Sequence, residues 1–247
     1  MDYTLGPAMQ ASFIMSLYEK AWQDVQSRIA RAAQEVGRDP AAIRLLAVSK
    51  EQPAAAIRAA YALGQRAFGE NYVQEAAAKA EALADLTDIE WHLIGPLQSN
   101  KARVAAQRFA WVHTIDRPKI AERLSAARGT DLPPLEVCVQ VNISGEASKS
   151  GVAPDATLDL LHAIAPLPRL ALRGLMGIAE AAPDPARQRA QFGRLRELFD
   201  AARSAGLPLD TLSMGMSVDL EAAIAEGATL VRVGTALFGA RSAETVA

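Results

Sequence analysis

Short apolar runs alternate with longer amphipathic stretches along most of the chain. The runs are rich in Val, Ile and Leu and mostly end in a polar residue or glycine, as buried parallel strands do. The stretches between them carry Ala, Leu, Glu and Arg in a helical pattern. Eight strands are predicted: Leu45–Lys50, Arg66–Asn71, Glu90–Gly95, Trp111–Asp116, Leu135–Asn142, Leu172–Ile178, Leu212–Gly215 and Leu230–Thr235.

Helices are predicted between these strands over residues 54–63, 72–84, 99–108, 118–127, 155–164, 186–204 and 218–226. An earlier amphipathic helix has apolar residues at steps of three or four from Leu17 to Val36, and Gly37 supplies its stop. Eight strand–helix repeats in about 250 residues are typical of a single-domain (β/α)8 TIM barrel. An open doubly wound sheet is the alternative, but it rarely uses so many regular repeats. We therefore expect an α/β barrel with an extra N-terminal helix.

The pattern contains no linker, so one barrel domain is expected over residues 14–247, after a poorly ordered tail over residues 1–13. Only twelve residues follow Thr235, which leaves no room for a second domain.

Half of the 247 residues are hydrophobic, which excludes a disordered protein. The net charge of −2 gives no basic excess for nucleic acid, and the single Cys138 excludes an internal disulfide. Because neither a signal peptide nor a membrane-length apolar run is evident, we expect a cytoplasmic protein without membrane contact.

The last two predicted strands end in segments suited to an anion. Met216 and Ser217 follow Gly215 after the seventh strand, and Gly234 and Thr235 close the eighth. Amides at helix starts and hydroxyl groups attract anions, and glycine permits close approach to the backbone. Barrels of this type commonly bind phosphate at these two positions. Simple helix caps are the alternative interpretation, but two such segments together favour phosphate.

Two cations stand out against apolar surroundings. Lys50 ends the run LLAVSK at the barrel rim, where a desolvated amine could condense with an aldehyde. A solvated charge at a strand end is the alternative for Lys50. Arg232 lies inside the apolar run LVRVGT, where a cation needs a partner. That partner is either a carboxylate on a neighbouring strand or a ligand, and the sequence leaves both open.

Other polar residues in the predicted strands are expected to be structural. His92 and His113 lack metal-ligand spacing and are expected to be hydrogen-bonded barrel residues. Glu70 is expected to order the rim through hydrogen bonds, with a role as a base as the alternative. Cys138 lies in the middle of a strand and is expected to be an inert core thiol.

Several segments resemble one known family. They are AVSK ending at Lys50, FGENYVQE (68–75), WHLIGPLQSNK (91–101), VNISGEASKSG (141–151), RGLMGIA (173–179), SMGMSVDLEAAI (213–224) and VRVGTALFGAR (231–241). These segments resemble the pyridoxal phosphate homeostasis proteins, the YggS/PROSC family, from about Ser16 to Arg241. Gly177 stands where that family often has alanine.

The resemblance implies a barrel similar to the N-terminal domain of alanine racemase, with pyridoxal 5′-phosphate (PLP) held by Lys50 as an internal aldimine. It also implies contacts to the cofactor ring from Asn71 and Arg232, and contacts to its phosphate from Met216, Ser217, Gly234 and Thr235. Arg232 would face the pyridine nitrogen. Because arginine only donates hydrogen bonds, that nitrogen would stay unprotonated and the ring would be a poor electron sink.

Three functions are weighed on this basis. The first is a monomeric PLP-binding protein that buffers the cofactor, or delivers it to apo PLP-dependent enzymes, without robust catalysis. The second is a PLP-dependent amino-acid racemase of narrow specificity. The third is a cofactor-free Schiff-base aldolase, which explains Lys50 and the phosphate segments but gives Arg232 no role. The resemblance favours the first.

Overall fold

A computed structural model describes residues 7–145, 150–180 and 184–239, with the side chains of residues 7–14 left aside. The strands in these ranges are β1 (Arg44–Val48), β2 (Ala67–Glu70), β3 (Glu90–Leu93), β4 (Trp111–Ile115), β5 (Leu135–Val141), β6 (Leu170–Gly177), β7 (Thr211–Ser213) and β8 (Leu230–Val233). The helices are α1 (Pro7–Glu35), α2 (Ala54–Ala62), α3 (Val73–Ala82), α4 (Ala102–Arg108), α5 (Pro118–Ala127), α6 (Thr157–Ile164), α7 (Pro185–Ser204), α8 (Leu220–Ala225) and α9 (Thr235–Phe238). Short 3₁₀ turns cover Pro40–Ala42 and Pro154–Ala156.

The eight strands form a closed parallel barrel in chain order, with β8 paired to β1. This confirms the barrel predicted from the alternation of strands and helices. Many boundaries differ from the predicted ones by one to three residues, as at α8, which begins at Leu220 rather than at residue 218, while α1 begins much earlier, at Pro7. Residues 1–6 lie outside the described residues, so the division into a tail over 1–13 and a domain over 14–247 stays a prediction.

The strand β5 shows how the sequence builds two layers. Its residues Leu135, Val137, Val139 and Val141 join the large core between the strands and the helices. The intervening Cys138 packs instead with Trp111 and Met176 in a separate cluster. This alternation is expected because successive side chains of a strand point to opposite faces. Cys138 is fully buried and burial raises the pKa of its thiol, which confirms an inert core thiol.

The N-terminal helix α1 packs against α8, α9 and α2. Val25, Ile29 and Ala33 are buried in the core on its inner face. Beyond the helix, Arg38 donates hydrogen bonds to the carbonyl oxygens of Ile224 and Ala228, at 2.7 Å each. The described helices include none that is long and apolar enough to cross a membrane.

Two histidines occupy the interior of the barrel. Nδ1 of His92 lies 2.9 Å from Nε2 of His113, and Nδ1 of His113 lies 2.9 Å from Oγ of Ser213. The ring of His92 also stacks on Trp111, with 5.3 Å between the ring centroids. Both imidazoles are fully buried, and burial lowers the pKa of each. The prediction that they are hydrogen-bonded barrel residues is confirmed.

Acidification from pH 6.5 to pH 4.5 is expected to lower the free energy of unfolding. Both histidines bind a proton near pH 6.5 in the unfolded chain. In the folded protein the pKa of His92 falls to about 4 and that of His113 lies well below 6.5. The unfolded state therefore binds more protons in this window, and each histidine contributes a slope approaching about 1.4 kcal/mol per pH unit. Urea unfolding at several pH values measures the slope.

The exposed His162 provides the control for this measurement. The variant His162→Asn should keep the slope, because the side chain of His162 is exposed and the slope arises from the two buried histidines. Glu70 has the opposite effect on the free energy of unfolding. Because its pKa is raised, the folded state binds a proton before the unfolded state does as the pH falls, and this offsets part of the slope from the histidines. A free energy of unfolding that rises on acidification, or a slope that disappears in His162→Asn, would contradict the prediction.

Candidate functional site

A cavity of about 540 Å³ opens at the carboxyl end of the barrel. This is the end at which barrels of this type place their ligands. All of the predicted site residues line this cavity: Lys50, Asn71, Met216, Ser217, Arg232, Gly234 and Thr235. Further lining residues, which the sequence had not singled out, include Gln140, Asn142 and Ser150 from the β5 side. The barrel thus gathers residues from both ends of the chain around one space.

Lys50 lies in a tight turn directly after β1. The next residue, Glu51, has a φ of +59°, a left-handed conformation that non-glycine residues seldom adopt. The amide of Glu51 donates a hydrogen bond to Oε1 of Glu75 on α3, at 2.5 Å. The first turn of α3 therefore holds the backbone that carries the Lys50 amine.

A buried cluster of Lys79, Glu70 and Glu75 also contacts the turn that carries Lys50. Nζ of Lys79 contacts both carboxylate oxygens of Glu70, at 2.9 and 3.1 Å, and Oε1 of Glu75 at 2.7 Å. It also donates to the carbonyl of Ser49 at 2.6 Å, and the Ser49 hydroxyl donates to Glu70. Burial raises the pKa of Glu70, and the charge of Lys79 opposes that rise. The expectation that Glu70 orders the rim by hydrogen bonds is confirmed.

The sequence analysis missed Lys79, although a signal for it exists. Lys79 shares the buried face of α3 with Val73 and Ala76, at a spacing of three residues. A lysine on the apolar face of a helix needs a buried partner of opposite charge. That partner, Glu70, lies nine residues earlier on β2 and is brought close only by packing α3 on the sheet.

The loops after β2 and β3 touch through a glycine. A Cβ atom at Gly95 would lie 2.2 Å from the carbonyl oxygen of Asn71, so no larger residue fits there. The hydroxyl of Thr114 donates to the Gly95 carbonyl at 2.8 Å and fixes the second loop. Asn71 is therefore held at the cavity wall by backbone contacts from its neighbouring strand.

The loop after β7 differs from the simple anion loop that the sequence predicts. Gly215 lies outside the cavity lining and has a φ of +90°, and a Cβ atom there would meet Ala223 on α8 at 2.5 Å. It is required for the turn and for packing rather than for close approach of an anion. The amide of Met216 already donates to Oδ1 of Asp219 at 2.5 Å. The first side-chain hydroxyl of this loop that lines the cavity belongs to Ser217.

The hydroxyl of Ser217 meets the loop after β8. The Ala236 amide lies 3.5 Å from Oγ of Ser217, next to the exposed Thr235. From outside the barrel, Arg28 on α1 donates to the Ser217 carbonyl at 3.0 Å and pairs with Glu221 at 2.7 Å. The N-terminal helix therefore holds this loop in place, a role the sequence analysis did not assign to Arg28.

Arg232 forms the electrostatic centre of the cavity. Its Nη1 donates to the carbonyl and hydroxyl oxygens of Ser213, at 2.6 and 2.8 Å, and its Nη2 donates to the Gly177 carbonyl at 2.9 Å. In the described part of the chain, no carboxylate lies within 4.0 Å of it, so the buried ion pair that the sequence left open is not formed. Burial lowers the pKa of Arg232 to about 10, which leaves it cationic at neutral pH. A buried cation without a direct ion pair faces the cavity, and the Asp219 carboxylate acts on it only from beyond 4.0 Å.

Two further lysines, Lys101 and Lys149, follow predicted strand ends in the sequence. Lys101 precedes α4 and lies outside the cavity lining. Lys149 falls outside the described residues. The described residues also contain no group of three or more metal-ligating side chains.

Comparison with known proteins first defines the class. Residues 23–242 match the family described as "Alanine racemase, N-terminal domain", which places the barrel among proteins of that class. The chain is 61% identical over 217 residues to a "Pyridoxal phosphate homeostasis protein" of Pseudomonas aeruginosa, covering 88% of this chain and 93% of the relative. A protein of the same name from Escherichia coli is 51% identical over 219 residues, covering 88% and 94%. The chain belongs to the pyridoxal phosphate homeostasis protein family.

Solved structures agree with this assignment. PipY of Synechococcus elongatus is 44% identical, and its structure without PLP gives a TM-score of 0.78 over 87% of this chain and 99% of that one. Its structure with PLP bound gives 0.75, over 85% and 100%. An alanine racemase of Clostridium difficile, at 13% identity and a TM-score of 0.70, covers 94% of this chain and 59% of that one and shares the fold.

Replacement of Lys79 by methionine is expected to destabilise the protein. Removing one partner of a buried ion pair costs about 3–5 kcal/mol, because the other charge is left uncompensated. In this variant the Glu70 carboxylate is the group left without its cation. Urea unfolding measures the loss, and addition of Glu70→Gln should restore part of it by removing the uncompensated charge.

Lys20→Met is the matched control, since Lys20 pairs with Asp24 on the exposed surface of α1. It should leave the midpoint of unfolding unchanged, because exposed pairs contribute little. Equal effects of Lys79→Met and Lys20→Met would show that the buried cluster does not hold the rim.

Proposed function

We propose that the protein binds pyridoxal 5′-phosphate in the cavity at the carboxyl end of the barrel and functions in PLP homeostasis as a carrier rather than an enzyme. The observation that carries the proposal is the convergence of a lysine amine, a hydroxyl-rich loop pair and a buried cation on one cavity. The PLP-bound structure of the related PipY supports the same ligand.

The cavity residues fit the aldehyde, the phosphate and the ring of this cofactor. When bound, PLP supplies an aldehyde that condenses with primary amines and a ring that can delocalise negative charge. Lys50 offers the amine, while the hydroxyl groups of Ser217 and Thr235 offer donors for the phosphate. We assign Gly234 to this phosphate loop and Asn71 to the wall beside the ring. Because its amide is bonded to Asp219, Met216 contributes to the wall.

Arg232 fits the pyridine nitrogen and disfavours catalysis. It remains protonated at neutral pH, so it can only donate to the ring nitrogen. A nitrogen that accepts such a bond carries no proton of its own, and the ring withdraws less charge from a bound amino acid than a protonated ring does. Proton abstraction from a substrate would gain correspondingly little.

The cavity also has few groups that could move a proton. Its lining within the described residues contains no histidine, tyrosine, cysteine, aspartate or glutamate, and Lys50 is its one amine. The tyrosine nearest to a strand end, Tyr72, is 57% exposed and lies outside the lining. A racemase needs a second base that faces the first across the substrate. This composition supports binding and release over turnover.

Three further features remain predictions from the sequence. We propose that the protein is a monomer, acts in the cytoplasm and passes PLP to apo PLP-dependent enzymes. The relatives carry the name of homeostasis proteins, which is consistent with such a role. We observe nothing that favours the racemase or the aldolase.

Lys50→Ala is expected to abolish the absorbance of lysine-bound PLP while retaining weaker, reversible binding through the phosphate contacts. Borohydride reduction of the wild-type protein with PLP, followed by peptide mapping, should place the pyridoxyl group on Lys50. Lys101→Ala is the matched control and should bind as the wild type does, because Lys101 lies outside the cavity. Labelling of Lys149, or an unchanged spectrum in Lys50→Ala, would contradict the assignment.

The carrier function predicts background exchange of the α-proton of amino acids. The PLP-loaded protein is incubated in deuterated water with each amino acid in turn, and deuterium incorporation is followed by NMR against free PLP. Because no opposing base lines the described cavity, exchange should match that of free PLP. Incorporation well above that background for any amino acid would establish an enzyme instead.

A further inference from the structure

A line of buried polar groups crosses the barrel interior from the cavity to the opposite end. Arg232 on β8 donates to Oγ of Ser213 on β7, which lies 2.9 Å from Nδ1 of His113 on β4. His113 then reaches His92 on β3, at 2.9 Å. Glu90, the first residue of β3, lies beyond, with Oε2 3.8 Å from Nε2 of His92. Four strands contribute to this chain of groups.

The hydrogen bonds that join Ser213, His113 and His92 can run in either of two directions. Each imidazole is neutral near pH 7 because burial lowers its pKa, so each ring has one N–H and one lone pair. In the first arrangement, the Ser213 hydroxyl donates to His113, Nε2–H of His113 donates to His92, and Nε2–H of His92 points toward Glu90. In the second, every bond between Ser213 and His92 runs the other way.

The charge at Glu90 favours the first arrangement. His92 and Arg44 lower the pKa of Glu90 to about 2, so this carboxylate is ionised, with Oε1 2.7 Å from Nη2 of Arg44. In the second arrangement, the lone pair at Nε2 of His92 would face this negative charge. In the first, an N–H faces it, and attraction replaces repulsion.

The hydrogen bonds at Ser213 also favour the first arrangement. Arginine can only donate, so Ser213 Oγ must accept from Arg232 in both arrangements. In the second arrangement Oγ would also accept from His113, and its own proton would have no acceptor among these groups. In the first, Oγ accepts once and donates once. Nε2 of His92 is the one buried side-chain N or O atom of the described residues without a hydrogen-bond partner, and the Glu90 carboxylate, 3.8 Å away, is the charged group it faces.

We propose that Glu90 is a positioning residue for the cavity, which it influences from the far end of the barrel through His92, His113 and Ser213. Its charge fixes the direction of the two hydrogen bonds that join Ser213, His113 and His92. In this direction the Ser213 hydroxyl donates to His113 while it accepts from Arg232, and donation makes Oγ a stronger acceptor for the guanidinium at the cavity. The direction of the chain stands on these contacts alone, while its effect on PLP rests on the proposed function.

The tautomers of the two buried histidines test the direction in the protein without added cofactor. The chain has three histidines, and the exposed His162 serves as the internal reference. With ¹⁵N-labelled histidine, long-range ¹H–¹⁵N spectra at pH 7 should show His92 and His113 both as the Nε2–H tautomer. Single His→Asn variants assign the signals. Nδ1–H tautomers at both positions would overturn the proposal.

Glu90→Gln tests the cause of the direction and its effect on the cavity. The variant should reduce the ratio of Nε2–H to Nδ1–H tautomer at His92 by about tenfold, because the charge that orients the ring is removed. The PLP dissociation constant should rise by about fivefold, as expected for the partial loss of one hydrogen bond. Glu81→Gln, at an exposed pair with Arg108, is the matched control and should change neither quantity.

The outcomes separate this inference from the proposed function. Wild-type protein that shows the Nε2–H tautomers but no affinity for PLP refutes the proposed function and leaves the direction of the chain standing. Wild-type protein that binds PLP, with a Glu90→Gln variant of unchanged tautomers and affinity, refutes the role of Glu90. A tautomer change without any change in PLP affinity refutes the coupling to the cavity.

Discussion

The burial of the Arg232 charge is the constraint on which the site depends. A guanidinium taken out of water needs an acceptor for each of its donors, and here neutral oxygens of Ser213 and Gly177 accept three hydrogen bonds. Those acceptors satisfy its geometry without cancelling its charge. The positive charge of Arg232 therefore acts on any molecule that enters the cavity. The cavity favours an anionic or electron-rich ligand for this reason.

A second buried cation in the same barrel shows the contrast. Lys79 is enclosed by the carboxylates of Glu70 and Glu75, so its charge is neutralised by the protein itself. It holds the Ser49 carbonyl, and with it the turn that carries Lys50. Both cations are buried. The charge of Lys79 is paired within the protein, whereas the charge of Arg232 is available to a ligand. The difference lies in whether a carboxylate is within reach.

Closure of the barrel brings the parts of the site together. In the register of β8 with β1, Val233 lies opposite Ala47, so the Gly234 and Thr235 segment runs beside the end of β1 and the turn at Lys50. A Cβ atom at Gly234 would lie 3.2 Å from the Val48 carbonyl, which shows how closely the two segments pack. Residues near the two ends of the sequence thus share one cavity because the first strand pairs with the last.

Local patterns in the sequence were sufficient to predict the barrel and seven of the residues that line its cavity. Strand and helix periodicities are local signals, and the carboxyl ends of parallel strands must meet at one end of a barrel, so Lys50, Ser217 and Thr235 could be placed without coordinates. Three features required the folded coordinates: Arg232 has no direct ion pair among the described residues, Gly215 packs against α8, and His113 contacts Ser213, one hundred residues later. These facts depend on which strands lie opposite each other and on which face each side chain points to. Neither is written in any local pattern, because both arise from closing the sheet and packing the helices around it.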